Sequence, residues 1–218
     1  MSAAARSSAK LSLAAWLVYV LLAPSAMADD LDEPMPDPNP ISLISGFLSP
    51  EDIEVLPDGD ALIVGSFNLR DGAGDLRVIY LSDHGVETVY GMKGKDRANG
   101  LAEKGQRWGD PACPGPPPGF SVHGIHLSKA NDGTLKLLVV NHTEREAIEW
   151  FEIEKVEGRY EVNWRGCVVV DEDLWINDVA MLPDGGMVAS HMMPREDAPT
   201  MLKRKQRGRM EAGYVAEW

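Results

Sequence analysis

Three hairpins of one design constrain this chain more than any other feature. The stretches "EDIEVLPDGDALIVGS" (51–66) and "NDVAMLPDGGMVASH" (177–191) each place a polar pair, Glu51-Asp52 or Asn177-Asp178, before an apolar run. A Leu-Pro-Asp-Gly turn and a second apolar run follow in both. A looser copy, "HGIHLSKANDGTLKLLVVNH" (123–142), has His123-Gly124 at the polar position and Asp132-Gly133 at the turn. Glycine after aspartate reaches positive φ without steric cost, so each Asp-Gly step can close two antiparallel strands.

From Pro50 onward short apolar runs alternate with turn signals and no helical period is sustained, so the chain reads as all-β. The runs fall in three groups: 52–56, 61–66, 76–82 and 86–90; then 123–128, 135–141, 147–154 and 160–170; then 178–182, 187–192 and 213–217. A recurring meander of about four strands is the pattern of a β-propeller blade. The expected blades cover about 50–91, 121–170 and 176–218, joined after the first by a Gly- and Pro-rich loop at 92–120 that is either a lid or disordered. The runs "IEVL", "LKLLVVN" and "VAML" are apolar at neighbouring positions, as expected where adjacent blades cover both faces. Rings take roughly four to eight blades, so a partial or truncated ring is expected, with self-association through open blade edges as one way to cover them.

The first residues concern destination rather than fold. Arg6 and Lys10 precede the apolar stretch "LSLAAWLVYVLLA" (11–23), and "SAMA" offers small residues for cleavage after Ala28. Residues 1–28 read as a signal peptide, which implies a periplasmic or secreted protein with no stable membrane association after cleavage. Residues 29–49 read as a proline-rich acidic arm, and 50–218 as the propeller region. The formal net charge of −13 argues against nucleic acid as a partner. The one basic run, "KRKQRGR" (203–209), reads as a solvated loop. Export to an oxidising compartment makes a Cys113–Cys167 disulfide the expected state, with two separate thiols as the alternative. Neither cysteine has metal-site spacing, which disfavours zinc.

In a propeller the first strand of each blade lines the central channel. The repeat therefore brings Glu51-Asp52, His123-Gly124 and Asn177-Asp178 to one rim, an oxygen-rich set that suits calcium. The bland alternative is that Asp and Asn at strand starts bond nearby backbone amides. His123 and His142 sit at strand ends that meet in an antiparallel hairpin, so their imidazoles can touch at the same rim and offer a base. His84 falls in a turn, His126 shares the strand face of Gly124, and His191 ends the third hairpin with no evident partner. The sequon at Asn141 lies inside an expected strand and is discounted as a glycan site.

"EDIEVLPDG", "HGIHL", "LLVVNH" and "NDVAMLPDG" resemble, in order and spacing, motifs of the calcium-dependent paraoxonase-type arylesterases and lactonases. These belong to the wider superfamily of six-bladed propellers that includes the gluconolactonases. The resemblance runs from about Pro50 to Trp218 and implies a six-bladed type of ring with two calcium ions in its channel. It assigns Asp52, Asp178 and the carbonyl of Ile125 to a structural ion, and Glu51 and Asn177 to a catalytic one. It makes His123 and His142 a dyad that activates water for attack on a small-molecule ester or lactone. The family draws further calcium ligands from a second half of the ring that lies outside this sequence, and its disulfide joins the chain ends, where neither cysteine stands. The expected function is thus a calcium-dependent lactone or aryl ester hydrolase, or an inactive amino-terminal fragment of one. A non-enzymatic, calcium-stabilised binding module and a gluconolactonase-like sugar-lactone hydrolase are the alternatives.

Overall fold

All three Asp-Gly steps are tight turns in the computed structural model, which describes residues 41–68, 73–91, 107–171, 173–197, 200 and 213–218. Gly59, Gly133 and Gly185 have φ of 68°, 91° and 94°, and each donates its N–H to the carbonyl three residues back, on Leu56, Ala130 and Leu182. One turn chemistry thus sets the hairpin of each repeat. The signal peptide, the basic run 203–209 and residues 92–106 lie outside the described residues, as does most of the arm.

The strands are β1 (Pro50–Val55), β2 (Ala61–Ser66), β3 (Asp75–Tyr80), β4 (Gly85–Gly91), β5 (Trp108–Gly109) and β6 (Val122–Lys129). β7 (Leu135–Asn141), β8 (Ala147–Val156), β9 (Arg159–Val169), β10 (Trp175–Met181), β11 (Met187–Met193) and β12 (Tyr214–Glu217) follow. They form three sheets, ordered β1-β2-β3-β4, β5-β9-β8-β7-β6 and β10-β11-β12, and none closes into a barrel. The fold is all-β and propeller-like. All pairs are antiparallel except β5 with β9, which is parallel.

β7 explains how the middle sheet is covered. Leu137 and Val139 face the first sheet, in a core with Ile63, Leu76, Val78, Phe151 and Trp164. Leu138 and Val140 face the third sheet, in a second core with Ile148, Ile176, Val179 and Met187. A strand buried on both faces needs no polar alternation, and the continuous run "LLVV" (137–140) is the result. The expectation of two covered faces holds for β7 and fails for β1, where Ile53 and Val55 are 54% and 59% exposed.

The long connection contributes structure that its composition concealed. Trp108–Gly109 add a short strand to the outer edge of β9, and Cys113 is bonded to Cys167 on that same strand. The chain then leaves this outer edge for the turn between β7 and β8, where Gly115 O accepts from Arg145 Nη2 at 2.8 Å, and Ser121 reaches the rim, where His142 N–H donates to Ser121 O at 3.3 Å. Asn141 is fully buried and accepts from Ser121 N–H at 2.9 Å, which removes it as a glycan acceptor.

Candidate functional site

Each polar pair sits where its strand leaves regular register. The pairing shifts between Pro50 and Asp52, between Val122 and Ile125, and on both sides of Ile176, reaching Asp178. A bulge turns side chains away from the pleat and bends the strand. All three inner strands carry one at the same end, and β1 and β10 both pack against β6.

The acidic residues are held by backbone amides. Asp52 Oδ1 accepts Ile53 N–H at 2.8 Å, and Asp178 Oδ1 accepts Val179 N–H at 2.8 Å, the same local bond in two repeats. Asp52 Oδ2 also accepts Ile125 N–H from β6 at 2.9 Å, and Glu54 Oε1 accepts Leu127 N–H at 3.0 Å. β6 is the edge strand of its sheet, so these carboxylates satisfy amides that the ladder leaves open. Asp178 reaches β6 from the other side, against Gly124. A Cβ on Gly124 would stand 2.6 Å from Asp178 Cα and 2.8 Å from Asn177 O. Gly124→Ala is expected to push β10 away from β6 and cost about 1–3 kcal/mol, read from the shift in urea midpoint.

The two histidines meet as the hairpin geometry requires. His123 Nδ1 lies 2.9 Å from His142 Nε2. His142 Nδ1 in turn lies 2.9 Å from Glu146 Oε2 and 2.8 Å from Oε1, and the His142 and Glu146 side chains are both 0% exposed. Glu146 Oε1 also accepts Ile176 N–H, on β10, at 2.9 Å. The backbone of His142 is pinned by Arg195, whose Nη2 donates to His142 O at 2.8 Å. Phe67 and Trp175 pack their rings on the dyad: Phe67 lies 5.3 Å from His123, and Trp175 lies 5.9 Å from His142.

His123 is the half-open end of this chain of contacts. Burial pushes its pKa below 6.5 and the neighbouring His142 adds to the effect, while Glu51, Glu146 and Asp178 pull the other way. Its Nε2 faces Glu51 Oε2 at 4.0 Å. A neutral imidazole with one nitrogen tied inward and the other outward has the arrangement of a general base.

Most of the residues singled out from sequence converge here. Asp52, Asp178 and Ile125 surround the start of β6, Glu51 stands beside His123, and His142 backs it. Asn177 is exposed on the bulge of β10. Among the described residues no group of three or more His, Cys, Asp or Glu side chains is gathered at metal-binding distance. The oxygen donors are of the kind calcium takes, and they are fewer than the roughly six to eight it needs. His126 lies apart, 3.7 Å from Glu54, and His84 occupies a turn at φ 57°. His191 is buried against Tyr214, with ring centroids 4.4 Å apart. Glu146 is the residue that sequence reasoning missed. Its one local signal is a carboxylate four residues after His142 in the short turn between β7 and β8.

No family model matches the chain, and no curated protein does. Among solved structures, it is similar to a protein from Lactobacillus plantarum at 10% identity and a TM-score of 0.34, over 77% of this chain and 42% of the other. The chain thus spans less than half the length of that protein.

Proposed function

We propose that the rim of the three inner strands is the site of a calcium-dependent hydrolase of lactones or aryl esters, with His123 as general base. The observation that carries this reading is the contact chain Glu146–His142–His123, buried at its inner end and open at His123 Nε2. In this reading His123 Nε2 takes a proton from water as the water oxygen attacks the substrate carbonyl carbon. The C–O bond to the leaving group then breaks, and the proton passes from His123 to the departing alkoxide. Water and an aryl ester are thereby converted to a carboxylic acid and a phenol, and water and a lactone to a hydroxy acid.

Asp52, Asp178 and the carbonyl of Ile125 are the proposed protein oxygens for a structural calcium, and Glu51 with Asn177 for a catalytic one, within a ring of the six-bladed type. Calcium, when bound, supplies polarisation of the substrate carbonyl and stabilisation of the oxyanion. Supporting this, two carboxylates from different sheets approach β6 at one point, where the absence of a side chain on Gly124 lets Asp178 and Asn177 come close to the strand.

The test is hydrolysis of phenyl acetate and an aliphatic lactone in calcium and in EGTA. The reading predicts slow turnover that EGTA abolishes. Turnover confined to sugar lactones would favour the gluconolactonase-like alternative. A second reading rests on Asp52 and Glu54, whose carboxylates are already engaged as acceptors for the amides of β6. There the acidic rim is sheet-to-sheet adhesion in a non-enzymatic module, and calcium raises the melting temperature with no turnover on any ester or lactone.

A further inference from the structure

We propose that Glu146 is a positioning residue that sets which nitrogen of His123 is free, and that it ties the histidine pair to the strand carrying Asn177 and Asp178. The proposal deepens the hydrolase reading and, for its catalytic consequence, rests on it.

The contacts fix where the protons sit. As a carboxylate, Glu146 has only acceptors to offer, and both of its oxygens lie within 2.9 Å of His142 Nδ1. His142 must therefore carry a proton on Nδ1. In the neutral ring that leaves His142 Nε2 as an acceptor, and its neighbour at 2.9 Å, His123 Nδ1, must then be the donor. His123 so protonated has a bare Nε2, on the side facing Glu51. A wholly buried carboxylate thus fixes the proton order of two rings, the outer of which it does not touch. Burying it without partners would be costly, and it is satisfied by two elements at once, since Oε1 also accepts Ile176 N–H. The next residues on β10 are Asn177 and Asp178, so the same side chain anchors the third polar pair and orders the base.

Glu146→Gln separates these roles. Its amide oxygen can keep the Ile176 N–H, but its NH2 group, in the place of Oε2, must donate to His142 Nδ1. Both rings then invert: His142 carries its proton on Nε2 and donates to His123 Nδ1, which leaves the His123 proton on Nε2 where the base is needed. The experiment is a two-bond proton–nitrogen correlation spectrum of 15N-histidine-labelled protein, run on wild type and Glu146→Gln, with kcat and KM for the ester alongside. Wild type is expected to show both rings protonated at Nδ1, and Glu146→Gln both at Nε2 with its melting temperature largely kept. In the variant kcat should fall roughly 10²- to 10⁴-fold with KM little changed, as when the wrong imidazole tautomer faces the reaction. Restoration of the proton order by Glu146→Asp would add support. A wild type already protonated at His123 Nε2 overturns the proposal without any variant, as does a Glu146→Gln protein whose rings keep the wild-type order. If the rings invert as described but neither protein hydrolyses any ester or lactone, the hydrolase reading falls and control of the proton order by Glu146 stands.

Discussion

Arg145→Ala is expected to cost the fold about 3–5 kcal/mol, because it strands a buried carboxylate. Glu149 is 0% exposed, and Arg145 reaches it from Nε at 3.0 Å and from Nη2 at 2.7 and 2.9 Å. The indole of Trp164 supplies another donor, at 2.9 Å, and Arg145 Nη2 also holds Gly115 O at 2.8 Å. Burial already pushes the Glu149 pKa upward against the pull of Arg145. Removing the guanidinium leaves burial less opposed, so the folded variant binds a proton more readily than its unfolded chain does. The sign follows: a carboxyl with a raised folded pKa favours the folded state at low pH, and this advantage is lost as pH rises through the folded value. The Arg145→Ala loss should therefore be largest at neutral pH and shrink on acidification. In thermal melts it corresponds to a drop of about 6–20 °C. A second change, Glu149→Gln, should recover much of it by removing the charge that needed a partner. Equal stability of wild type and Arg145→Ala at neutral pH would show that Glu149 is not the buried anion described.

His123→Ala should lower kcat by roughly 10²- to 10⁴-fold, the usual contribution of a positioned general base. Its fold should survive, since His123 is partly exposed and, among the described residues, its hydrogen-bonding contact with a buried side chain is to His142. The loss should appear in kcat rather than KM, because the group acts in the transition state and does not hold substrate. A variant that kept wild-type kcat would remove His123 from the chemistry and leave the rim as a binding surface.

Much of this architecture was legible because hydrophobic period and turn chemistry act locally. The Asp-Gly steps and the runs after them placed eleven strands to within a few residues, and β7 showed by four successive apolar residues, 137–140, that it would be covered on both sides. β5 was not legible: two residues in a Gly- and Pro-rich segment have no period, and their pairing depends on β9, more than fifty residues ahead. The exposure of Ile53 and Val55 was also hidden, because an apolar strand reads the same whether or not a second sheet covers it. At the site, the equivalent positions of Asp52 and Asp178 were visible in the repeat. What each oxygen bonds was not, since Asp52 Oδ2 meets an amide 73 residues away. Glu146 was invisible for the same reason: its importance comes from Ile176, 30 residues on, and no pattern within its own turn announces it.

Whether His123 supplies the base is decided by the rate of lactone hydrolysis in calcium as a function of pH, for wild type and His123→Ala. The depressed pKa of His123 places the acid limb of the wild-type profile below the ordinary histidine value of 6.5, with the rate falling as the ring gains its proton. Wild type should show that limb, and in the variant it should disappear together with the activity. Identical profiles for the two proteins would contradict that role for His123.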